Sequence, residues 1–232
     1  LIVGGAALNP EIVTFFHNIG IQMSQGYGIT ECAPLISVVP LDKYNASSCG
    51  KPMNGVKVRI EKEKEEDSYG EIVVTGDNVM LGYYNRPDLT AEVMTEDGWF
   101  RTGDYGYIGK GDYIYITGRK KNIIIASNGK NVFPEEIEEY IEQIPYVEEV
   151  VVVGRENDKT GDTVIAAVVV PNREECDEHG LHDDETIYEA INHAVHDMNQ
   201  KLESFKHVSV VELRHEPFEK TPSRKIKRFL VK

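Results

Sequence analysis

The sequence predicts a mixed α/β fold in two parts, residues 1–118 and a smaller α+β part, residues 119–232. Residues 1–118 carry short alternating apolar and polar runs between turn residues, which is typical of strands and hairpins. After Gly118 strands alternate with helical patterns, and about 110 residues are enough for a separate core. A hydrophobic content of 41% in 232 residues is sufficient for ordinary cores.

The first part begins with strand patterns around one helix. Residues 10–20 (PEIVTFFHNIG) have apolar side chains at helical spacing between a starting proline and a closing glycine, so they predict a short helix. Residues 56–60 and 71–76 predict a hairpin with a solvated, charged tip, EKEKEEDSYG. Residues 98–119 predict a second hairpin that turns at 109–112.

The second part combines short strands with two helices. Asn128-Gly129 predicts a tight hairpin, because these residues adopt the positive φ angles of a two-residue turn. Pro134 and the two glutamates after it predict a helix to about Ile144. The other predicted elements are strands at VEEVVVVG and TVIAAVVVP, an amphipathic helix from Asp184 to Phe205, and a last strand at HVSVVEL.

Composition limits the possible functions. A net charge of −14 and a pI near 5.0 argue against a general nucleic-acid surface, because phosphates would be repelled at long range. No apolar run approaches the roughly 20 residues that cross a bilayer, and no charged-then-apolar leader opens the sequence. Cys32, Cys49 and Cys176 are widely spaced and predict free thiols in a reducing, cytoplasmic compartment.

Both ends of the sequence are unusual. LIVGGAAL starts directly in a buried-strand pattern, so the sequence predicts a fragment of a larger fold whose N-terminal part is missing. The tail from Lys220 to Lys232 holds six cations that can contact membrane phosphates, so peripheral membrane association stays open. Its apolar residues predict packing against the second part; they are Ile226, Phe229, Leu230 and Val231.

Residues 27–31, YGITE, combine an aromatic ring, a glycine, a hydroxyl and a carboxylate. Tyr27 can stack on a flat base, Thr30 can donate to a phosphate oxygen, and Glu31 can bind Mg²⁺, which prefers oxygen ligands. An ordinary turn around Gly28 has the same composition. Spacing alone leaves both interpretations open.

Residues 99–104, WFRTGD, form a second candidate segment. The carboxylate of Asp104 can accept hydrogen bonds from the two adjacent hydroxyls of a ribose. An Asx-type turn is the alternative explanation of the same residues.

Six segments stand in an order that is itself informative. They are Gly4-Gly5-Ala6-Ala7, YGITE, GYYNRP, WFRTGD, GRKKNIIIASNGKNVFPEEIE and TPSRKIKR. In sequence and spacing they resemble the adenylate-forming acyl-CoA synthetase family over almost the whole chain, and YGITECAP and the tail are most similar to long-chain fatty acid CoA ligases. The resemblance implies that residues 1–118 are the C-terminal portion of a large adenylating domain and that residues 119–232 are a small mobile lid domain.

The resemblance implies a two-step ligase. A carboxylic acid, in the most similar members a fatty acid, attacks the α-phosphate of ATP to form acyl-AMP, and the thiol of coenzyme A then displaces AMP. In the implied nucleotide site, Gly5 and Ala6 lie against one face of the adenine, with Tyr27 and Gly28 on the other. Thr30 and Glu31 are catalytic and hold phosphate and Mg²⁺. Asp104 and Arg119 bind the ribose.

Three residues after the nucleotide site also match the family. Lys225 matches the catalytic lysine, whose compact charge stabilises negative charge on the carboxylate and the α-phosphate in the transition state. Lys121 matches the hinge on which the small domain rotates, and a solvated cation suits a residue whose φ and ψ change. Gly129 lets the SNGKNV hairpin approach the pantetheine arm of coenzyme A.

Two features depart from the family pattern. Arg224 stands where many relatives have glycine, so the backbone before the catalytic lysine is expected to run differently. The Ser/Thr/Gly-rich phosphate-binding loop has no counterpart in the sequence, and most of the acyl tunnel is expected outside it. The chain alone is therefore expected to bind ATP poorly and to be inactive.

Several alternatives stay open. Cys176, His179 and His182, with His193 and His196 on the long helix, suggest zinc, but their spacing is imperfect and an acidic loop favours solvated histidines. The family motifs are also compatible with transfer to a carrier-protein thiol, with a non-catalytic AMP- or CoA-binding module, and with a luciferase-like oxygenase.

Overall fold

The computed structural model describes residues 1–5, 8–157, 159–222 and 224–231. The chain divides into two compact units, Leu1–Lys121 and Asn122–Lys232. The division falls slightly later than the expected boundary at 118/119, because Arg119 still pairs with Asp104 in the strand ladder of the first unit. The mixed α/β fold class is confirmed.

The described part of the first unit contains two four-stranded sheets. The first sheet is mixed: β1 pairs in parallel with β2, and the remaining pairs are antiparallel. Its strands are β1 (Ile2–Gly4), β2 (Ser24–Tyr27), β3 (Ser37–Val38) and β4 (Lys51–Pro52). The second is an antiparallel meander of β5 (Lys57–Glu61), β6 (Gly70–Thr75), β7 (Phe100–Ile108) and β8 (Ile114–Arg119). Both predicted hairpins are confirmed.

Two helices accompany these sheets in the described residues. Helix α1 (Pro10–Asn18) is the predicted one, and the side chain of Asn9 caps it by accepting from the Glu11 N–H at 2.8 Å. Helix α2 (Pro87–Val93) was not predicted, although Pro87 at its start is a standard helix-initiation signal. The core of this unit includes Tyr27, Cys32, Ile36, Cys49, Ile72, Val74, Phe100 and Ile114.

The described part of the second unit contains a three-stranded sheet, a two-stranded sheet and helices. The sheet order is β11-β12-β13, with β11 antiparallel and β13 parallel to the central β12. Its strands and helices are β9 (Ile124–Ile125), β10 (Asn131–Val132), α3 (Pro134–Ile141), β11 (Val147–Glu156), β12 (Thr163–Pro171), α4 (Arg173–Glu178), α5 (Asp184–Asn199) and β13 (Val208–Leu213). The predicted hairpin at Asn128-Gly129 is confirmed, because β9 and β10 pair antiparallel around it, but only Gly129 of the two residues has a positive φ.

Helix boundaries in the second unit differ from the prediction. Helix α3 ends at Ile141 rather than Ile144. Helix α5 ends at Asn199 rather than Phe205, because the Asn199 side chain bonds both backbone groups of Val208 at 2.9 Å and leads the chain into β13. The amphipathic pattern continues past Asn199 only because the following turn also packs on the core.

Part of the expected acidic loop after β12 is a short helix, α4, whose N-terminus is capped by the Asn172 side chain. Its Cys176 is completely buried in the core of the second unit. Cys32, Cys49 and Cys176 are all free thiols, as predicted. Among the described residues, no helix combines the length and apolarity that a membrane span requires.

Candidate functional site

The centre of the candidate site is the carboxylate of Asp104 in the first unit. The Tyr27 hydroxyl at the end of β2 donates to Asp104 Oδ2 at 2.7 Å. Arg119 Nε at the end of β8 lies 2.8 Å from Asp104 Oδ1, and the two residues are cross-strand partners. The structure thus brings together three of the residues selected from the sequence, although 77 positions separate Tyr27 from Asp104.

A local irregularity of β7 orients Asp104. The pairing of β6 with β7 shifts register between Glu71 and Val73, and Gly103 has a φ of +71° that favours glycine. Thr102 Oγ1 donates to the Ile72 carbonyl at 2.7 Å and accepts from the Asp104 N–H at 3.1 Å. Residues 100–104 of WFRTGD therefore belong to an irregular strand and not to an isolated turn.

Burial sets the electrostatics of this cluster. Asp104 is 3% exposed and Tyr27 7%, whereas the Arg119 side chain remains 44% exposed. Burial, and then the negative charge of Asp104, raise the pKa of Tyr27 far above its ordinary value. Tyr27 therefore stays protonated and acts as a donor to the Asp104 carboxylate.

Thr30 and Glu31 lie on a 3₁₀ turn, Thr30–Cys32, directly after β2. Tyr83, in the GYYNRP segment, donates its hydroxyl to Glu31 Oε1 at 3.0 Å. The Met80 N–H donates to the Glu31 carbonyl at 2.8 Å. Asn78 Nδ2 donates to the carbonyl of Cys32, at the end of this turn, and to that of Leu35, three residues further on, at 3.0 Å each.

Sequence reasoning did not identify Tyr83 and Asn78 as site residues. Tyr83 belongs to a motif that carried the resemblance, but nothing in its local pattern shows that its hydroxyl reaches a residue 52 positions earlier. The contact emerges only from the tertiary structure. It orients Glu31, whose side chain is half-buried.

Gly5, Ala6 and Gly28 are the small residues that the sequence places beside the adenine. A Cβ at Gly28 would lie 1.7 Å from the Pro34 carbonyl oxygen, so packing within the first unit already requires glycine there. Gly5 has a φ of +96°, and among the described residues beyond its chain neighbours no atom lies within 4 Å of where a Cβ would be. Ala6 lies outside the described residues.

The residues around the division between the units are unevenly anchored. Lys120 Nζ lies 2.7 Å from Glu71 Oε2, and the Glu71 side chain is only 7% exposed. Glu71 Oε1 also accepts from the Gly103 N–H at 3.2 Å. Lys121 is exposed, and no ion pair or side-chain hydrogen bond of Lys121 occurs within the described part of the chain.

Two predicted residues belong to the second unit. Gly129 has a φ of +77° at the exposed tip of the β9–β10 hairpin, and a Cβ there would meet no atom within 4 Å in the described part of the chain beyond its neighbours in sequence. Lys225 is exposed in the tail, and its N–H donates to Thr221 Oγ1 at 3.1 Å. Arg224 has a φ of +62°, so the backbone beside Lys225 adopts the left-handed conformation that glycine favours.

The donor set after β2 fits Mg²⁺. This ion commonly uses one or two protein carboxylates and completes its shell with water and phosphate oxygens. Glu31 supplies one half-exposed carboxylate that Tyr83 orients, and the neighbouring Thr30 is exposed. The zinc alternative gains no support: Cys176 is buried, and no group of three potential ligands is clustered in the described residues.

Comparison with known families identifies the class of protein to which the chain belongs. The AMP-binding enzyme family matches residues 1–84, and the AMP-binding enzyme C-terminal domain matches residues 121–231. The chain belongs to the AMP-binding enzyme family.

Curated relatives are ligases for several different acids. A chloroplastic long-chain-fatty-acid acyl-carrier-protein ligase of Arabidopsis thaliana is 34% identical over 99% of this chain and 34% of its own length. A long-chain-fatty-acid CoA ligase of Escherichia coli O157:H7 is 40% identical over 65% of this chain and 27% of its own length. A 2-succinylbenzoate CoA ligase of Bacillus cereus strain Q1 is 40% identical over 78% of this chain and 38% of its own length.

Solved structures of adenylate-forming enzymes are also similar to this chain. The o-succinylbenzoate CoA synthetase MenE of Bacillus subtilis, in complex with the acyl-adenylate intermediate OSB-AMP, has a TM-score of 0.84 at 25% identity and covers 100% of this chain. The ATP-bound RpMatB-BxBclM chimera B1 has a TM-score of 0.81 at 28% identity over 99% of this chain. The chain spans 45% and 44% of these two structures.

Proposed function

We propose that this chain is part of an ATP-dependent ligase that joins a carboxylic acid to coenzyme A through an acyl-AMP intermediate. The observation that carries the proposal is the contact of Asp104 with both Tyr27 and Arg119. A carboxylate fixed by two donors is preorganised to accept the hydroxyls of a ribose. The partly exposed side chain of Arg119 adds hydrogen-bond donors beside this carboxylate.

The turn after β2 supplies the phosphate and metal part of the proposed site. Thr30 donates to a phosphate oxygen, and Glu31, oriented by Tyr83, holds Mg²⁺. When bound, Mg²⁺ neutralises phosphate charge in the adenylation step.

Lys225 in the second unit is the proposed catalytic cation. A lysine ammonium is a compact charge on a flexible stem, suited to oxygens that gain negative charge in the transition state. Lys121 is the proposed pivot, since Lys120 is tied to buried Glu71 whereas Lys121 is exposed. Gly129 is the proposed point of approach to the pantetheine arm.

The proposed acid is a fatty acid. Support comes from the YGITECAP and tail motifs and from relatives named as long-chain-fatty-acid ligases. Relatives named as 2-succinylbenzoate and sulfoacetate ligases define the other acids to be compared. The Arabidopsis relative is named as an acyl-carrier-protein ligase. A carrier-protein thiol is therefore the alternative acceptor to compare with coenzyme A.

The test is acid-dependent exchange of labelled pyrophosphate into ATP by the whole protein, over long-chain fatty acids, 2-succinylbenzoate and sulfoacetate. We expect the highest exchange with fatty acids, and a loss of about 100-fold or more in Lys225→Ala but not in the control Lys227→Ala. Absence of exchange with every acid would refute the proposal. Thioester formation is then compared with coenzyme A and acyl carrier protein. The 232-residue chain alone is expected to be inactive.

A further inference from the structure

Lys225 lies at the end of a short loop in the tail of the second unit. Lys220 and Ile226 form an antiparallel bridge, and the Thr221 N–H donates to the Lys225 carbonyl at 2.8 Å. The Lys225 side chain itself is exposed. Its position therefore depends on how the two ends of the loop are fixed to the second unit.

The C-terminal end of the loop is fixed by Arg228. Arg228 Nη1 lies 2.7 Å from both carboxylate oxygens of Glu138 on α3, and Arg228 Nη2 donates to the Val152 carbonyl at 3.0 Å. The Val152 N–H donates to Glu138 Oε1 at 2.5 Å. These bonds close a ring of three residues in which the side chains of Arg228 and Glu138 are only 23% and 11% exposed.

This ring satisfies peptide groups at the edge of a sheet. Strand β11 is an outer strand of the β11-β12-β13 sheet, so part of its backbone has no strand partner in that sheet. Glu138 and Arg228 bond both backbone groups of Val152 in place of a neighbouring strand. Because a buried carboxylate needs a partner, removing either side chain leaves the other poorly satisfied.

The N-terminal end of the loop has its own anchor. The Phe218 N–H donates to Glu149 Oε2 at 2.8 Å, and Lys220 forms an ion pair with the same carboxylate, which is 9% exposed. Phe218 is buried in an apolar cluster with Val151, Val168 and Val170, against which Ile226 and Val231 pack.

Other tail residues are held less firmly. Lys227 pairs with Glu219, whose side chain is 68% exposed. Packing of Ile226 and Val231 on the second unit is confirmed. The same prediction was wrong for Phe229 and Leu230, which are 78% and 46% exposed, because the turn at Arg228–Leu230 directs them outward.

We propose that Glu138 and Arg228 are positioning residues for adenylation: their buried contact fixes the loop that presents Lys225. The proposal rests on the catalytic role of Lys225 given above. The contacts of Glu138 and Arg228 that carry the proposal lie within the second unit. Both act through the loop, so their loss affects the half-reaction that uses Lys225 more than the half-reaction that does not.

The first experiment measures amide hydrogen exchange in the 232-residue chain. Glu138→Gln and Arg228→Gln are expected to speed exchange of the Thr221, Lys225 and Lys227 amides about tenfold or more, without faster exchange in β12. Arg228→Lys is expected to give an intermediate effect, because it keeps the charge but loses the bidentate geometry. The controls are Glu139→Gln, an exposed neighbour on α3, and Lys227→Gln. Unchanged amide exchange rates in the tail, or equally faster amide exchange in β12, would overturn the anchoring role.

The second experiment uses the whole protein. Glu138→Gln and Arg228→Gln are expected to lower pyrophosphate exchange about tenfold or more, with less than about a twofold change in thioester formation from preformed acyl adenylate. Equal losses in both half-reactions, or unchanged pyrophosphate exchange, overturn the positioning role. Unchanged pyrophosphate exchange in Lys225→Ala would instead refute the catalytic role of Lys225. The amide hydrogen exchange experiment would then still decide whether Glu138 and Arg228 anchor the loop.

Discussion

Tyr27 donates its hydroxyl to Asp104 at 2.7 Å, and this bond joins β2 of one sheet to β7 of the other. Arg119, on the neighbouring strand β8, lies 2.8 Å from the other oxygen of the same carboxylate. The residues of the proposed ribose site are therefore also structural residues of the first unit. Substitutions there should change stability as well as nucleotide binding.

Tyr27→Phe keeps the ring and removes the donor. Because Asp104 is 3% exposed, we expect the free energy of unfolding of the first unit to fall by about 1–2 kcal/mol, measured by chemical denaturation. Tyr84→Phe is the control, since Tyr84 is 91% exposed. Equal stability of the two variants would contradict the importance of the Tyr27–Asp104 bond.

Tyr83→Phe tests the orientation of Glu31. Loss of the 3.0 Å hydrogen bond should raise the Mg²⁺ concentration for half-maximal pyrophosphate exchange by about tenfold, because partners of metal ligands tune metal affinity. The free energy of unfolding should change by less than about 1 kcal/mol. The same Mg²⁺ dependence in Tyr83→Phe and in the adjacent control Tyr84→Phe would show that Tyr83 does not act through Glu31.

Arg224→Gly should stabilise the tail. Arg224 has a φ of +62°, a conformation that costs a non-glycine residue roughly 1 kcal/mol, so glycine should slow amide exchange in the Lys225 loop. Lys227 has a φ of −79°, so Lys227→Gly should speed exchange instead. If Arg224→Gly also speeds exchange, the strain assigned to Arg224 is absent.

Stability should depend on pH through Glu138. Burial raises the pKa of Glu138 to about 7 despite the opposing effect of Arg228 and the Val152 N–H, and nearby Glu135 adds to the increase. Because the folded-state pKa is higher than the ordinary value of 4.5, this contribution to stability is present below pH 4.5 and is lost as pH rises to 7.

The difference between wild type and Glu138→Gln isolates that contribution. The wild-type free energy of unfolding should fall relative to the variant between pH 4.5 and 7, with a slope of up to about 1.4 kcal/mol per pH unit. Glu139→Gln should show the wild-type dependence. A constant difference between wild type and Glu138→Gln would rule out the raised pKa.

The three thiols should be unreactive in the folded chain. Cys32 and Cys176 are fully buried and Cys49 is 9% exposed, and burial raises the pKa of Cys32 and of Cys49 to about 11. A chromogenic disulfide reagent should label none of them within minutes at pH 8, and all three in denaturant. Rapid labelling of one thiol without denaturant would indicate local opening.

Local patterns were sufficient for most of the fold. Period-two alternation and turn residues predicted both hairpins of the first unit, and Asn128-Gly129 predicted the hairpin of the second. Helix ends were less accurate: α5 stops at Asn199 because its side chain bonds Val208, which no apolar periodicity reveals. Helix α2 was missed because its seven residues are too few for a clear amphipathic pattern.

By itself, the sequence determined the two-part organisation and the motifs that mark the family, because both are encoded by residues near one another in the chain. Only the tertiary structure decided that Tyr83 orients Glu31 and that Arg228 is held by Glu138, 90 residues earlier. Such pairs join segments that lie far apart in the chain, and a carboxylate that loses water on folding bonds whichever donor the fold places beside it.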